Sequence, residues 1–399
     1  MSFIHLVEPQ RANRGWPLLA LGFRPFFLLA AIMAAAAIPL WLLIYQGSFE
    51  LASTLPPTIW HGHEMVFGFA AAVIAGFLLT AATNWTGRRT ATGAGLGALA
   101  GLWIAGRVAL TVPGVPAWLA IGLDVAFLPV VATVLAIPLL ATGNRRNVVF
   151  PAVLAVLGLI NLTIHLSAIE AIDWDPSRQL RIAIDLILLM IGVLGGRVIP
   201  SFTKNALPQA KVNPCPKASV LALLSIAALA IAEMATDNAT VVGSVALAAG
   251  VINALRMRGW GTFATMRTPI LWVLHVGYAW LAVGLTLRGV AELSGLIPLD
   301  AGIHALTLGA IGSMIIGMMS RVALGHTGRS IVPAPLTVAA YWLVNAAALL
   351  RMMSALTWDD TLRAASLISS GALWSLAFAC FVIVYWPILS RPRADGRAG

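Results

Sequence analysis

The sequence predicts an all-α polytopic membrane protein of about twelve transmembrane helices, and three observations carry that prediction. Of 399 residues, 60% are hydrophobic and 10% charged, with a mean hydropathy of +0.91, which is not the composition of a soluble globular chain. The hydrophobic residues fall in runs of about twenty or more, a bilayer-crossing length. Basic residues sit between the runs, where orientation in a membrane demands them. The net charge of +10 therefore gathers on no single face or motif. The lipid bilayer is an expected partner and nucleic acid is not.

Twelve spans can be counted, at roughly 20–45, 60–83, 91–112, 117–141, 148–170, 180–200, 217–236, 239–257, 269–291, 302–324, 333–356 and 364–389. The connections are short, so residues 1–399 read as one transmembrane domain with tails at about 1–17 and 390–399. Arg11 and Arg14 ahead of the first run resemble a signal peptide. The run from Leu18 to Tyr45 is too long for a signal core and no clear cleavage site follows it, so it reads as a retained span. Arg88, Arg89, Arg145, Arg146, Lys204, Lys211, Arg329 and Arg391 flank one side of the spans. The opposite loops hold few basic residues and many acids, among them Asp173, Asp175, Asp300, Asp359 and Asp360. The positive-inside rule then places both termini in the cytoplasm.

Span 2 recurs at span 10. Laid without gaps, His63, Gly68, Gly76 and Thr86-Gly87-Arg88 fall on His304, Gly309, Gly317 and Thr327-Gly328-Arg329. Arg197-Val198 through Thr203-Lys204 in span 6 parallels Arg321-Val322 through Thr327-Gly328, which suggests a three-fold pseudo-repeat of four helices. The register puts Leu180, not histidine, at the span 6 position.

Orientation assigns the histidines a depth. His61, His63, His165 and His304 share the outer third of the membrane, whereas His275 and His326 lie towards the cytoplasm. Ionisable groups are costly inside a bilayer, and imidazole is the commonest metal ligand. Residues two apart on an α-helix point about 200° from each other, so His61 and His63 suit two different centres. His63 and His304 each stand on an apolar face, an arrangement suited to a haem b held non-covalently between two imidazoles. No C-x-x-C-H exists for covalent attachment, and Cys215 and Cys380 have no partner close in sequence. His61 and His165 are the next candidates, for copper, whose divalent form accepts imidazole. His275 and His326 are further metal candidates. Glu64 is a candidate for orienting a ligand or for stabilising a helix start. Arg321 is a candidate for pairing with haem propionates or for snorkelling. Asp124 and Asp185 could serve a proton path or pair with arginine. No catalytic residue can be named.

The residues Gly22-Phe23-Arg24-Pro25-Phe26-Phe27, Trp60 to Gly68, Asn84-Trp85-Thr86-Gly87, Gly195 to Pro200, His304 to Gly309 and Ser320 to Arg329 resemble the NnrS family of bacterial membrane proteins. The resemblance implies a haem- and copper-containing protein of the inner membrane, linked to nitric oxide, denitrification and relief of nitrosative stress. A looser likeness is to the main subunit of haem–copper oxidases and nitric oxide reductases, which also has twelve spans in three arcs of four. Spans 6 and 7 here lack the histidines that build the copper site beside a high-spin haem, so that active site is not expected.

The leading expectation is a haem b- and copper-binding membrane protein of nitric oxide tolerance or sensing, with nitric oxide or its products as ligands. Alternatives are an enzyme that turns over nitric oxide or takes electrons from quinol or another redox partner, and a metal-free small-solute transporter.

Overall fold

Twelve helices fill the computed structural model, which describes residues 15–51 and 53–397. Arg11, Arg14 and most of the expected N-terminal tail at about 1–17 lie outside those residues. The helices are α1 Phe23–Tyr45, α2 Pro57–Thr86, α3 Gly93–Ala109, α4 Ala117–Ala141, α5 Val149–Ala168 and α6 Pro176–Ala206. They continue with α7 Pro216–Ala235, α8 Ala239–Arg256, α9 Pro269–Ser294, α10 Leu299–His326, α11 Pro335–Leu356 and α12 Asp360–Leu389. Eleven are long and apolar enough to cross a membrane, and α3, at 17 residues, is at the short limit of that range. The chain is a multi-pass membrane protein. α6 outruns the span expected at 180–200 because Pro200 does not end it; neighbouring helices can re-satisfy the backbone that a membrane proline frees.

The helices group in three arcs of four. α2 to α5 form the first, α6 to α9 the second, and α10, α11, α12 and α1 the third, with α12 packed along α1. α6 touches both α2 and α10, and so joins the arcs. The expected repeat also appears in the backbone. Immediately after His63, α2 widens into a π-helical stretch at Glu64–Ala70. Immediately after His304, α10 does the same at Ala305–Gly312. Such widenings inside α-helices are rare and concentrate at functional sites.

The two glycine ridges are packing surfaces, as small residues allow in membranes. A Cβ on Gly76 would lie 2.8 Å from Phe26 Cβ and 3.1 Å from the Gly22 carbonyl oxygen, so α1 crosses α2 with backbone nearly touching backbone. On α10, Gly309 faces Trp280 and Gly317 faces Val273 and Leu274, all of α9. Gly76→Val should therefore overpack the α1–α2 crossing and cost about 1–3 kcal/mol. Thermal unfolding of the purified protein in detergent reads this, and an unchanged midpoint would show that the crossing is looser than described.

The Gly-Phe-Arg-Pro-Phe-Phe segment fastens the two ends of the chain together. Thr80 Oγ1 accepts the Phe23 amide at 2.9 Å. Arg24, fully buried, donates to the carbonyls of Leu389 and Arg391, each at 2.8 Å, at the end of α12. Beyond α12, Arg393 donates to the His326 carbonyl at 2.9 Å. Its pairing with Asp395 holds that carboxyl well below the usual carboxylate range.

Candidate functional site

Each arc encloses a different set of side chains near the acid-rich end of the bundle. In the first arc a buried polar cluster draws on all four helices: His63 and Glu64 of α2, Arg107 of α3, Asp124 of α4, and Asn161 and His165 of α5. Asp124 Oδ2 stands 2.8 Å from His165 Nε2 and 3.2 Å from His63 Nε2. It also accepts from Asn161 Nδ2 at 2.8 Å. The Asn161 Oδ1 atom is 2.7 Å from His63 Nε2, and Glu64 Oε1 is 3.1 Å from His63 Nδ1. Arg107 donates to Glu64 Oε1 at 2.7 Å and contacts Asp124 as well.

The His63 ring thus meets oxygen acceptors at both nitrogens. Without a metal it satisfies both only as the doubly protonated cation. A metal at Nε2 removes that requirement, leaving Nδ1–H to donate to Glu64, the usual outer support of a metal-bound imidazole. His165 Nδ1 is buried with no hydrogen-bond partner. One ligand atom each from His63, Asp124 and His165 lie within 4.8 Å of one another. Two ligands about 2.0–2.1 Å from a tetrahedral ion are themselves about 3.4 Å apart, against 2.8 and 3.2 Å between Asp124 Oδ2 and the two imidazole nitrogens. Two imidazoles and a carboxylate, dry and convergent, fit a copper or similar transition-metal ion.

The third arc encloses a cavity of about 690 Å³ that α2 and α6 help to wall. His61 of α2 and His304 of α10 both line it. The His61 ring stacks on Trp41 with centroids 4.7 Å apart. His304 Nδ1 lies 2.9 Å from the Asp300 carbonyl oxygen, which makes Nδ1 the protonated nitrogen and leaves Nε2 as a free ligand atom. Apolar and aromatic groups such as Met65, Phe69, Ile184 and Trp374 form the walls. The charged lining is Arg181, Arg351, Arg363 and one carboxylate, Asp300. The volume is in the range of about 300–1,000 Å³ typical of small-molecule sites. A flat apolar ligand with carboxylates at its edge, taking two imidazoles on its faces, fits this donor set, and haem b has that form.

The second arc encloses a different set of side chains. Leu180 stands where the register anticipates it and packs where a Cβ on Gly62 would be, 2.8 Å from its Cδ1. Beneath it Arg288, fully buried, pairs with Asp185 at 2.9 Å and also with Glu233. Glu233 in turn accepts from Arg181 at 2.6 Å. Asp124 and Asp185, open from sequence between proton path and pairing, both pair with arginine.

Histidines expected at one depth are thus divided differently from the expected pairing. His61 shares the cavity with His304, and His63 the cluster with His165. His275 Nε2 and Nδ1 lie 2.9 and 3.0 Å from the hydroxyls of Thr203 and Thr262. The His326 ring rests against Phe23 at 5.6 Å. The structure brings neither into a metal-binding group among the described residues. Arg321, seventeen residues along α10 from His304 and hence about 25 Å away, lies over the Phe202 ring at 3.7 Å. It therefore stands far from both sites. Asn161 escaped sequence reasoning, although it precedes His165 by one helical turn on the same face of α5. So did Arg181 and Glu233.

No curated protein matches the chain significantly. The family model described as NnrS protein matches residues 17–393, nearly its full length, and the chain belongs to the NnrS family.

Proposed function

We infer that the protein is a membrane metalloprotein of the nitric oxide response, with haem b in the third-arc cavity and copper in the first-arc cluster. Family membership supports the nitric oxide response. The observation that carries the metal reading is the buried convergence of His63, Asp124 and His165. His61 and His304 would hold the haem, and Arg181 and Arg351, which line the cavity, would pair with its carboxylates. When bound, the two groups supply one-electron chemistry and a metal to which nitric oxide can bind.

The chain's own residues do the rest. Glu64 orients the His63 ring, Asn161 bridges His63 and Asp124, burial keeps the cluster dry, and apolar side chains wall the cavity. The basic loops at the far end of the bundle support an inner-membrane protein with that end in the cytoplasm. Both sites then lie towards the outer leaflet, where they can exchange electrons with a quinol or another redox partner.

The test is a visible spectrum of purified protein, oxidised and reduced, with elemental analysis and a nitric oxide titration. A sharp reduced haem b band, bound copper and a nitric oxide-dependent spectral shift are expected. A folded, colourless, metal-free protein from haem-replete cells would replace this reading with solute transport.

A further inference from the structure

We propose that the fixed charges around the first-arc cluster select a monovalent metal ion, with Arg107 as the positioning residue that sets the ion's oxidation state. The proposal rests on the copper reading and states how that site is regulated. The charged groups of the cluster are Glu64 of α2, Arg107 of α3 and Asp124 of α4; α5 adds neutral Asn161 and the His165 imidazole. Imidazoles bind metals in neutral form. Two carboxylates against one guanidinium therefore leave a single negative charge.

That charge stands in a buried site. The side chains of His63 and His165 are 0% exposed, Asp124 1%, Glu64 3% and Arg107 11%. Unbalanced charge is costly in such surroundings. A monovalent ion brings the cluster to zero, whereas a divalent ion leaves it at plus one. Copper has both states. Arg107 touches both carboxylates yet is no ligand, so replacing it alters the charge count and leaves the donor set intact. Arg107→Gln moves the neutral state to the divalent ion. Adding Glu64→Gln restores one net negative charge and returns neutrality to the monovalent ion. A merely structural role for Arg107 does not predict that reversal.

The experiment compares full-length wild type, R107Q and the R107Q/E64Q double variant from copper-replete cells, purified in air so that dioxygen is the electron acceptor for any copper(I) that oxidises. Copper per chain is read by elemental analysis and its divalent fraction by integrated electron paramagnetic resonance. The expected result is silent copper in wild type, a divalent signal accounting for most copper in R107Q, and silence again in the double variant. Divalent copper in wild type, or silent copper in R107Q at full occupancy, overturns the proposal.

Should R107Q fail to fold, competition on wild type decides instead. Silver(I) should displace the copper and zinc(II) should not, although the imidazole and carboxylate donors by themselves suit zinc. Displacement by zinc as readily as by silver overturns the proposal. Wild type that holds no copper at all removes the copper reading itself, which elemental analysis distinguishes from the other outcomes.

Discussion

Replacing His61 or His304 with alanine should abolish the haem spectrum and leave copper in place, while replacing His63 or His165 should do the reverse. The physical basis is the division of the imidazoles. Two residues apart on α2, His61 faces the third-arc cavity and His63 the first-arc cluster. Each site loses one of its two nitrogen ligands, but only in its own variants. The expected effect is near-complete loss of the reduced haem b band in His61→Ala and His304→Ala at unchanged copper per chain. His63→Ala and His165→Ala should keep the band and lose most of the copper. Elemental analysis with absorption spectra of four purified variants reads all of it. If His63→Ala loses haem while His61→Ala keeps it, the pairing first expected from the repeat, His63 with His304, is right and the cavity is not the haem site.

Arg288→Met should be the most damaging single change outside the two sites. The side chains of Arg288 and Asp185 are 0% exposed and that of Glu233 is 5% exposed, so removing the guanidinium strands Asp185 in a dry interior and leaves Glu233 to Arg181 alone. Breaking a buried ion pair from one side costs about 3–5 kcal/mol. Reduced yield of folded protein and a clearly lower unfolding midpoint in detergent are the readouts. Neutralising the stranded acid, as in Arg288→Met with Asp185→Asn, should recover part of the loss. Asp360→Asn is the contrasting case. Its ion pair with Arg363 has side chains 90% and 47% exposed, and such a pair is worth about 0–1 kcal/mol. Equal effects of Arg288→Met and Asp360→Asn would mean that the second-arc charges are hydrated.

The twelve helices were legible because a membrane imposes a length on every apolar run and short loops leave little freedom. The repeat was legible at His63, His304 and the glycines because equal spacing preserves helical register. What the register could not carry was the direction in which each histidine points. That direction depends on which neighbouring arc a helix faces and on the π-helical stretches after His63 and His304, where a turn takes an extra residue and the simple face count ends. His61 has no histidine counterpart in the repeat, yet it reaches across to the cavity of the neighbouring arc. Asp124 and Asp185 were visible as charges within the spans, but partners some 17, 37 to 41 and 103 residues away in sequence, Arg107, Asn161 and His165 of Asp124 and Arg288 of Asp185, leave no local signature. Arg24 was visible only as part of a motif, and its role needed the far end of the chain.

That last contact bears on how the protein is made. The third arc is built from α10, α11 and α12 together with α1, so its walls come from opposite ends of the gene. Synthesis runs from the N-terminus and earlier segments fold first. The four helices of the first arc are all in the membrane before the second begins, and its cluster can close early. The cavity stays open on one side until the last helix arrives and Arg24 clasps its end. On the proposed assignment, haem would therefore enter a finished polypeptide, while metal could reach the first arc on a growing one. A chain cut short after α9 should still take up metal and should never colour.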